Sequence, residues 1–419
     1  MTKRGKTIRV GVVGVGRGQS FAAGATDLVG MKLVAVCDIW KERLKEVGRR
    51  FGVATYTDYG KFLDHDMDAV VLANYFHQHA PFAVRALEAG FHVMSETSAC
   101  KTLSEGVALC RAVEKTGRTY MLAENYPFTK FNMEMRRLYR AGAIGEVTYA
   151  EGEYNHPMAP DDVTAISCGR NHWRNWIPST YYCTHALAPL MYITDRMPLS
   201  VNALAMSCPS VTRGTAKVSD AGSVILCRMD NGAVFRIFGL LLPGHSNWYR
   251  VHGARGGMEC TRGPGYFGPG SVRVWHEEWN RPSGEPLEQT TFPDWPEHAD
   301  LANRAGHGGG DFWTNFHFSE AIRSGKPPYL DVYRGVAMSV VGVLAWKSAL
   351  QDGAPFAMPD FRQESSRRAC EDDRWSPFPE DAGPGQPPPS IRGFVEPSPR
   401  GLAHARSIWK RLGYQGRDL

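Results

Sequence analysis

The sequence predicts an α/β protein that begins with a doubly wound parallel sheet and continues as an α+β domain with a large, mostly antiparallel open sheet. For the first part, short β-branched apolar runs alternate with helical segments, and the first run, Ile8 to Val13, ends in closely spaced glycines. For the second part, strand-like runs follow one another closely beyond Gly145.

The first strand leads into a turn typical of a dinucleotide site. Gly14 and Gly16 permit a tight turn, so that the next helix, beginning near Arg17 to Phe21, can point free N–H groups at a pyrophosphate. A second apolar run ends roughly 20 residues further on at Asp38, whose carboxylate can accept from an adenine ribose and repel a 2′-phosphate. We therefore expect NAD rather than NADP in a Rossmann domain, although Gln19 replaces the third glycine of G-x-G-x-x-G.

The alternation of strands and helices continues to the end of the first domain. We expect further strands near Thr55 and at 69–73, 91–94 and 119–123, and helices at 41–51, 59–64, 79–89 and 103–116. Ligands collect at the carboxyl ends of such strands. The expected NAD-binding residues are Gly14, Gly16, Arg17, Gly18, Gln19, Ser20, Asp38, Asn74, His79, Glu96 and Asn125.

Three segments are expected: an NAD-binding domain at 1–127, a substrate-binding and oligomerisation domain at 128–354, and an extension at 355–419. The second domain shows strand patterns at 147–154, 199–206, 223–228, 233–242, 248–252 and 271–275, and helices at 182–193, 310–324 and 333–350. The extension is rich in proline and arginine and includes PGQPPPS, so it is expected to wrap the surface or reach a neighbouring subunit.

Composition excludes several classes of protein. The net charge of +5 has no basic block, and the longest apolar stretch, near Val336 to Trp346, is too short to span a bilayer. We expect neither a nucleic-acid nor a membrane partner, and no signal peptide. Nine cysteines without a C-x-x-C pair suit a cytoplasmic protein. His77 and His79 lack a third ligand at a recognisable spacing, so no metal is expected.

Several stretches resemble the Gfo/Idh/MocA family of sugar-oxidising NAD(P) enzymes: GVGRG, Asp38, HAPFAVRALEAGFHVMSE and EGEYNH. The resemblance covers most of the chain. In that family Glu-Lys-Pro follows HVMSE-type strands, and the lysine assists proton transfer at the oxidised hydroxyl. This chain has Glu96-Thr97-Ser98 there, and Tyr181 stands four residues before His185 where the family has aspartate.

A second resemblance is to a branch of that family, the NAD-dependent α-N-acetylgalactosaminidases, which also lack the lysine. YCTHALAP, at 182–189, is similar to the Tyr-Pro-Thr-His-Gly-Leu-Gly-Pro stretch of that branch. Glu124-Asn125-Tyr126 and Tyr154-Asn155-His156 are similar to its acid-Asn-aromatic and Tyr-x-His motifs, and Gly306-His307-Gly308-Gly309 resembles its later glycine-rich loop.

The residues themselves also point to sugar chemistry. Tyr154 and His156 are two apart on one predicted strand, and Tyr182 and His185 are three apart on one predicted helix, so each pair shares a face. Converging hydroxyl and imidazole groups could act as acids and bases on a polyol. Each could instead be a buried structural residue. Glu124, a further catalytic candidate, could pair with an arginine or hold the ribose.

Other residues have less specific interpretations. Thr97 could simply fill space. Four tryptophans could stack on sugar faces, although packing in the core is the favoured interpretation for each: Trp173, Trp176, Trp248 and Trp313.

Three functions remain open. The first is a glycoside-cleaving enzyme that oxidises C3 transiently, eliminates across C1 and C2, adds water and returns the hydride; NAD-dependent hydrolysis is a recognised exception to paired-carboxylate catalysis. The second is a sugar or glycoside dehydrogenase with net hydride transfer. The third is a non-catalytic NAD-binding protein. A homodimer or homotetramer formed through the C-terminal sheet is expected.

Overall fold

The computed structural model describes residues 6–208, 212–263, 265–416 and 418–419. The chain forms two compact units that are each assembled from separate stretches. The first unit takes Met1–Lys130, Asp294–Ser339 and Asp360–Asp373, and the second takes Phe131–Pro293, Val340–Pro359 and Arg374–Leu419. The sequence-based boundaries at 127/128 and 354/355 stay predictions.

The first unit contains a six-stranded, all-parallel sheet in the order β3-β2-β1-β4-β5-β6. This doubly wound order confirms the predicted Rossmann architecture. The strands are β1 (Ile8–Val13), β2 (Met31–Cys37), β3 (Ala54–Tyr56), β4 (Ala69–Leu72), β5 (His92–Ser95) and β6 (Tyr120–Leu122). β1, β4, β5 and β6 are buried on both faces, as crossover helices require, whereas β3 is partly exposed.

The helices of the first unit begin and end where side-chain and glycine caps permit. Asp58 and Thr102 accept from backbone N–H groups at the start of α3 and α5, and left-handed Gly52 and Gly117 end α2 and α5. The helices are α1 (Gly18–Gly24), α2 (Lys41–Phe51), α3 (Tyr59–Leu63), α4 (His79–Glu88) and α5 (Leu103–Thr116).

Later stretches of the chain complete this unit. α10 (Ala299–Ala302), α11 (Gly310–Ser324), α13 (Glu364–Arg368) and the first part of α12 (Val332–Ala349) belong to it. Among these, α11 packs against α1, next to the glycine turn. This return of the chain places α11 residues beside the predicted cofactor loop.

The second unit contains a nine-stranded sheet in the order β14-β13-β12-β11-β7-β10-β9-β8-β15. Every neighbouring pair is antiparallel except β7 and β10, so the predicted mostly antiparallel sheet is confirmed. The strands are β7 (Val147–Asn155), β8 (Pro198–Met206), β9 (Gly222–Met229), β10 (Val234–Leu240), β11 (Ser246–Gly253), β12 (Gly256–Cys260), β13 (Val272–Trp275), β14 (Glu288–Thr291) and β15 (Phe356–Ala357).

One buried helix lies on this sheet and fixes the centre of the unit. The helices are α6 (Lys130–Arg140), whose first residue belongs to the first unit, α7 (Pro160–Ala165), α8 (Trp173–Trp176), α9 (Thr184–Thr194), the rest of α12, and α14 (Pro399–Arg411). α9 packs on β7 at Gly152, where a Cβ would lie 2.1 Å from the Ala186 carbonyl oxygen. Glycine there lets the helix approach the strand.

Two local predictions in the second unit were wrong. Tyr182 does not lie on the α-helix of His185: it ends a 3-10 helix, Ser179–Tyr182, and α9 begins at Thr184. Short 3-10 turns of this kind are frequent at helix N-termini. His156 follows the last residue of β7, although its backbone N–H still donates to the Leu240 carbonyl at 2.7 Å.

The C-terminal stretch contributes to the core of the second unit, which the predicted surface wrap did not anticipate. Trp409 on α14 is fully buried and donates from Nε1 to the Thr164 carbonyl oxygen at 3.0 Å. Asp220 accepts from the Ser390 hydroxyl at 2.9 Å and from the Ile391 backbone N–H at 2.7 Å. In the described part of the chain, no helix is long and apolar enough to cross a bilayer.

Candidate active site

The glycine turn after β1 is shaped for a ligand that touches the backbone. Gly14 has φ +95°, and a Cβ there would lie 2.3 Å from the Ala73 carbonyl oxygen, so only glycine fits. Of the described residues, none would lie within 4 Å of a Cβ on Gly16, which leaves open space beside that backbone. Gln19 donates to the Val15 carbonyl oxygen at 2.8 Å and thereby closes the turn, whereas Ser20 is exposed.

Asp38 is held at the end of β2 by two backbone donors. Its Oδ2 accepts from the Val15 N–H at 2.7 Å and its Oδ1 accepts from the Trp40 N–H at 2.8 Å. The carboxylate is only half-buried, so both oxygens keep lone pairs for ribose hydroxyls. Ile39, which follows it, is 76% exposed.

Asn74, just beyond β4, has a side chain suited to hydrogen-bond a ligand. Among the described residues, neither polar atom of its buried side-chain amide has a hydrogen-bond partner. Because buried amides are nearly always paired, this one fits a ligand that supplies a donor and an acceptor. Together with the open backbone at Gly16 and the carboxylate of Asp38, it shows that the residues present fit NAD.

The His79 imidazole contacts the loop that carries Asn74. It is buried at the start of α4, with Nδ1 3.0 Å from the Ser98 carbonyl oxygen and Nε2 3.3 Å from the Asn74 carbonyl oxygen. Burial lowers the pKa of the His79 imidazole, although the backbone carbonyls oppose this. A neutral imidazole has a single N–H, so it donates to only one of these two carbonyl oxygens.

Asp311, which the sequence analysis missed, connects three of the predicted cofactor residues. Both its oxygens accept from the guanidinium of Arg17, at 2.7 and 3.0 Å, and Oδ1 also accepts from Asn125 Nδ2 at 3.0 Å. Arg17 in turn donates from Nε to Glu96 Oε1 at 2.7 Å. His307 Nδ1 lies 3.0 Å from Asp311 Oδ2.

These contacts fix the charge state of Asp311. Burial alone would raise the pKa of its carboxyl, but the hydrogen bonds from His307 and Arg17 outweigh burial, so that pKa lies well below its usual range. The only sequence signal was the glycine-rich loop before α11. Nothing in the sequence indicated that Arg17 and Asp311, 294 residues apart, would form a pair.

Two further residues at the carboxyl edge of this sheet are buried: Glu124, a predicted catalytic residue, and Thr97, which stands in place of the family lysine. Glu124 is fully buried and accepts from the Tyr126 backbone N–H at 3.4 Å, which favours a role in shaping the end of β6. Thr97 is buried, and its backbone N–H donates to Glu96 Oε2 at 2.8 Å. A threonine hydroxyl in that position does not replace the proton-transferring amine of a lysine.

In the second unit, the four predicted aromatic and imidazole residues lie together. The Tyr154 ring is 4.5 Å from the His185 ring, 6.0 Å from the Tyr182 ring and 6.0 Å from the His156 ring, measured between centroids. Tyr182 and His185 are 4.9 Å apart. We call these four residues the ring cluster.

The backbone around the ring cluster explains its close packing. A Cβ on Gly239 of β10 would lie 2.0 Å from the Tyr154 carbonyl oxygen, so glycine allows the two strands to meet there. The Tyr249 hydroxyl on β11 donates to the His185 carbonyl oxygen at 2.7 Å and fixes the start of α9. A small cavity lined by Tyr154, Tyr182 and neighbouring residues of β9 and β10 lies beside the cluster.

Two residues beyond the prediction extend the ring cluster. The Tyr266 ring lies 5.1 Å from His156 and 5.8 Å from His245, whose ring is 6.4 Å from His156. Tyr266 and His245 lie in loops, where the sequence shows no helix or strand periodicity from which they could have been predicted. On the other side, Trp173 stacks on Tyr182 at 6.4 Å and 16°.

The remaining candidates lie elsewhere. Trp176 donates to the Arg170 carbonyl oxygen, Trp248 lies under the Arg262 guanidinium, and Trp313 packs among aromatic side chains of the first unit. Tyr181, in the position of the family aspartate, is buried against Phe378 and is not part of the ring cluster.

Electrostatics favour a neutral imidazole in the ring cluster. Burial lowers the pKa of His156, and the neighbouring His245, His185 and Arg174 lower it further. A neutral imidazole can accept a proton near neutral pH, which general-base chemistry requires. In the described part of the chain, no group of three or more His, Cys, Asp or Glu side chains could hold a metal ion.

Comparison with known families agrees with both halves of this description. Residues 8–124 match the model described as "Oxidoreductase family, NAD-binding Rossmann fold", and residues 132–259 match "GFO/IDH/MocA C-terminal domain". The chain belongs to the Gfo/Idh/MocA oxidoreductase family. Residues 221–367 of the same chain also match "Glycosyl hydrolase 109, C-terminal domain".

Curated relatives of this Gfo/Idh/MocA protein point to the same branch. The chain is 25% identical over 392 residues to a glycosyl hydrolase family 109 protein of Solibacter usitatus, covering 85% of this chain and 88% of the relative. It is 27% identical over 410 residues to glycosyl hydrolase family 109 protein 1 of Bacteroides thetaiotaomicron, covering 86% of each. The predicted resemblance is confirmed.

Solved structures share the fold. A levoglucosan dehydrogenase complex with NADH has a TM-score of 0.72 at 21% identity, covering 84% of this chain and 99% of that one. Aldose-aldose oxidoreductase from Caulobacter crescentus, complexed with glycerol, has a TM-score of 0.66 at 19% identity, covering 84% and 100%. The family membership makes this protein an NAD-dependent enzyme that acts on sugars, as a glycoside hydrolase or a dehydrogenase.

Proposed function

We propose that this enzyme cleaves a glycoside by transient oxidation at C3 and leaves NAD unchanged at the end of each cycle. The observation that carries the proposal is the ring cluster of Tyr154, His156, Tyr182 and His185, in a chain where the family lysine is replaced by the buried Thr97. Several proton-transferring groups are gathered in one place, whereas a plain alcohol oxidation needs one base.

The proposed reaction accounts for every bond. Bound NAD would take hydride from C3 and later return it. The C3 ketone acidifies the proton at C2, so a base can remove that proton while the C1 leaving group departs with the electrons of its bond. Water then adds across C1 and C2. These reaction steps do not require a pair of catalytic carboxylates.

Each residue has a proposed task. His185 and Tyr182 contact the hydroxyl that is oxidised, and Tyr154 with His156 handles the C2 and leaving-group protons. The lowered pKa of His156 keeps its imidazole neutral and able to accept a proton. Gly14, Gly16, Asp38 and Asn74 would hold NAD through the open backbone, the ribose carboxylate and the unpaired amide.

A panel of 4-nitrophenyl glycosides, assayed with NAD, tests this function. Released nitrophenol and NADH absorbance are followed together, and deuterium incorporation at C2 is measured in heavy water. We expect nitrophenol release with C2 deuteration and no accumulating NADH. Steady NADH formation that matches substrate loss would instead identify a dehydrogenase and refute the proposal.

Adjacent tyrosines provide a matched pair of variants. Tyr182→Phe removes a hydroxyl from the ring cluster and should reduce nitrophenol release by about 10²-fold, the usual contribution of a proton-transferring group. Tyr181→Phe changes the neighbouring buried tyrosine, which packs on Phe378 outside the cluster, and should leave the rate within about twofold. Equal effects of the two substitutions would contradict the assigned role of Tyr182.

We also propose a homodimer or homotetramer formed through the nine-stranded sheet, in the cytoplasm. Leu204 and Leu226 are exposed large apolar side chains on the neighbouring strands β8 and β9, which favours a covered surface there. The nine cysteines all lie in the described part of the chain and form no disulfide there, as a reducing compartment allows. Light scattering should give a particle of two or four chains, and Leu226→Glu should dissociate it. A monomeric wild type would refute the assembly.

A further inference from the structure

The loop before α11 carries a histidine and an aspartate arranged as a proton-transfer pair. His307 Nδ1 lies 3.0 Å from Asp311 Oδ2, and the two residues differ sharply in exposure: the His307 side chain is 40% exposed and the Asp311 side chain 4%. A buried carboxylate therefore holds one nitrogen of an accessible imidazole. This arrangement orients histidine in many acid–base sites.

The contacts of Asp311 decide which ring nitrogen carries the proton. Asp311 accepts from two guanidinium nitrogens of Arg17, from Asn125 and from His307, so its two oxygens serve four donors. An ionised carboxylate can only accept, so His307 Nδ1 must be the protonated nitrogen. In the neutral ring, Nε2 then keeps its lone pair and can act as a base.

The loop backbone is built for this placement. His307 has φ +53°, a left-handed conformation that is uncommon outside glycine, and Gly308 and Gly309 continue it at +59° and +92°. A Cβ on Gly310 would lie 2.4 Å from the Asn125 carbonyl oxygen. Residues in strained conformations cluster at functional sites, and this left-handed segment brings His307 into contact with Asp311 in the first turn of the helix that follows.

The His307–Asp311 pair also lies beside predicted cofactor residues of the first unit. Arg17 belongs to the glycine turn, Glu96 follows β5 and Asn125 follows β6, all at the carboxyl edge of the sheet. Arg17 and Asn125 contact Asp311 directly, and Glu96 is connected to it through Arg17. His307 contacts Asp311, which pairs with Arg17, and Arg17 in turn donates to Glu96. The residue after Glu96 is Thr97, which replaces the family lysine. A base is missing at that edge, and His307 can supply one.

We propose that His307, positioned by Asp311, is the acid–base residue of the oxidation step. As the O–H bond of the sugar hydroxyl breaks, Nε2 takes the proton, and a C=O bond forms as the C–H bond breaks with its electron pair. Bound NAD would accept that electron pair as hydride. On the return of the hydride, the imidazolium gives the proton back to oxygen. The inference rests on the proposed function only for the position oxidised.

The first test measures the imidazole directly. In protein labelled with ¹⁵N-histidine, the resonances lost in His307→Asn identify this ring, and the wild type should show Nδ1 protonated and Nε2 unprotonated at high pH. Asp311→Asn should disturb that preference. A dominant Nε2–H form in the wild type would overturn the inference, whether or not a substrate has been found.

The second test measures catalysis with a matched control. His307→Asn should lower kcat by about 10²-fold or more and leave the KM and the NADH dissociation constant within about twofold. His298 is another accessible histidine of the first unit with a positive φ, 54°, and it is outside the network, so His298→Asn should leave kcat unchanged. An undiminished kcat in His307→Asn overturns the inference.

The two proposals fail separately. If the wild type accumulates NADH, the hydrolase proposal is wrong, but His307→Asn should still slow NADH formation because hydroxyl oxidation needs the same base. If the wild type releases nitrophenol without NADH and His307→Asn does so equally fast, the hydrolase proposal stands and the role of His307 is wrong.

Discussion

Replacing the buried Lys217 by methionine should stabilise the protein at low pH far more than at high pH. Lys217 is 6% exposed, and its Nζ donates to the Arg174 carbonyl oxygen at 3.0 Å. Burial lowers the pKa of this ammonium from 10.5 to about 7; Asp220 opposes the shift and Arg174 adds to it. Between pH values of about 7 and 10.5, the Lys217 side chain is therefore deprotonated in the folded chain but still protonated in the unfolded chain.

The sign and size of the effect follow from this difference. Stability rises with pH wherever the unfolded state binds more protons, so the wild type gains stability as pH rises from about 7 to 10.5 and loses it as pH falls through that window. The full difference corresponds to about 5 kcal/mol. Methionine removes this penalty but leaves the Arg174 carbonyl without its donor, which costs about 1 kcal/mol. Lys217→Met should thus be more stable by about 4 kcal/mol near pH 6, and by about zero near pH 9.5.

Urea unfolding followed by tryptophan fluorescence at these two pH values measures the change. Lys32 is an exposed lysine of β2, so Lys32→Met serves as the control and should shift the midpoint little at either pH. If Lys217→Met is destabilising near pH 6, or if its effect is the same at both pH values, the assigned charge state of Lys217 in the folded protein is wrong.

Three further predictions concern the cofactor turn and the C-terminal stretch. Gly14→Ala should raise the NADH dissociation constant at least about 10²-fold in a fluorescence titration, because its Cβ would clash with Ala73. Gly16→Ala is the control and should fold normally. Unchanged NADH binding by Gly14→Ala would contradict the predicted clash. Asp38→Ser should narrow the preference for NADH over NADPH by about tenfold, measured as two dissociation constants, and an unchanged ratio would show that Asp38 does not repel the 2′-phosphate. Trp409→Ala should lower the free energy of unfolding by about 3–5 kcal/mol in urea, and a loss below about 1 kcal/mol would show that α14 adds little.

The parallel sheet was predictable because its signals are local. Each strand of the first unit is a short apolar run bounded by turn residues, and Gly14 and Asp38 stand at strand ends where the residue type alone limits the options. In the second sheet β7 to β11 and β13 were predicted, with boundaries moved by one to two residues. β12, β14 and β15 were missed.

The missed strands lack a pattern of their own. β12 begins with two glycines, β14 reads EQTT with no apolar residue, and β15 has only two residues. Pairing with neighbours makes them strands: β12 lies between β11 and β13, and β15 pairs with Val201 and Ser200 of β8. Tertiary context of this kind outweighs local propensity.

The ring cluster was partly predictable for the same reason. Tyr154 with His156, and Tyr182 with His185, are close in sequence, so each pair could be found from spacing. His245 and Tyr266 reach the cluster from distant loops, and Asp311 reaches Arg17 from the other end of the chain. No periodicity encodes such long-range contacts.

The division of the chain between two units has a consequence for its synthesis. All six strands of the parallel sheet are made within the first 122 residues, but α11, which packs against α1 and carries Asp311, is made almost 200 residues later. A ribosome-bound chain therefore exposes the α1 surface, and leaves Arg17 without Asp311, until most of the second unit has been translated. The first unit therefore cannot be completed in order of synthesis, and a fragment cut after residue 130 would keep the six strands and the Arg17–Glu96 contact but lack Asp311.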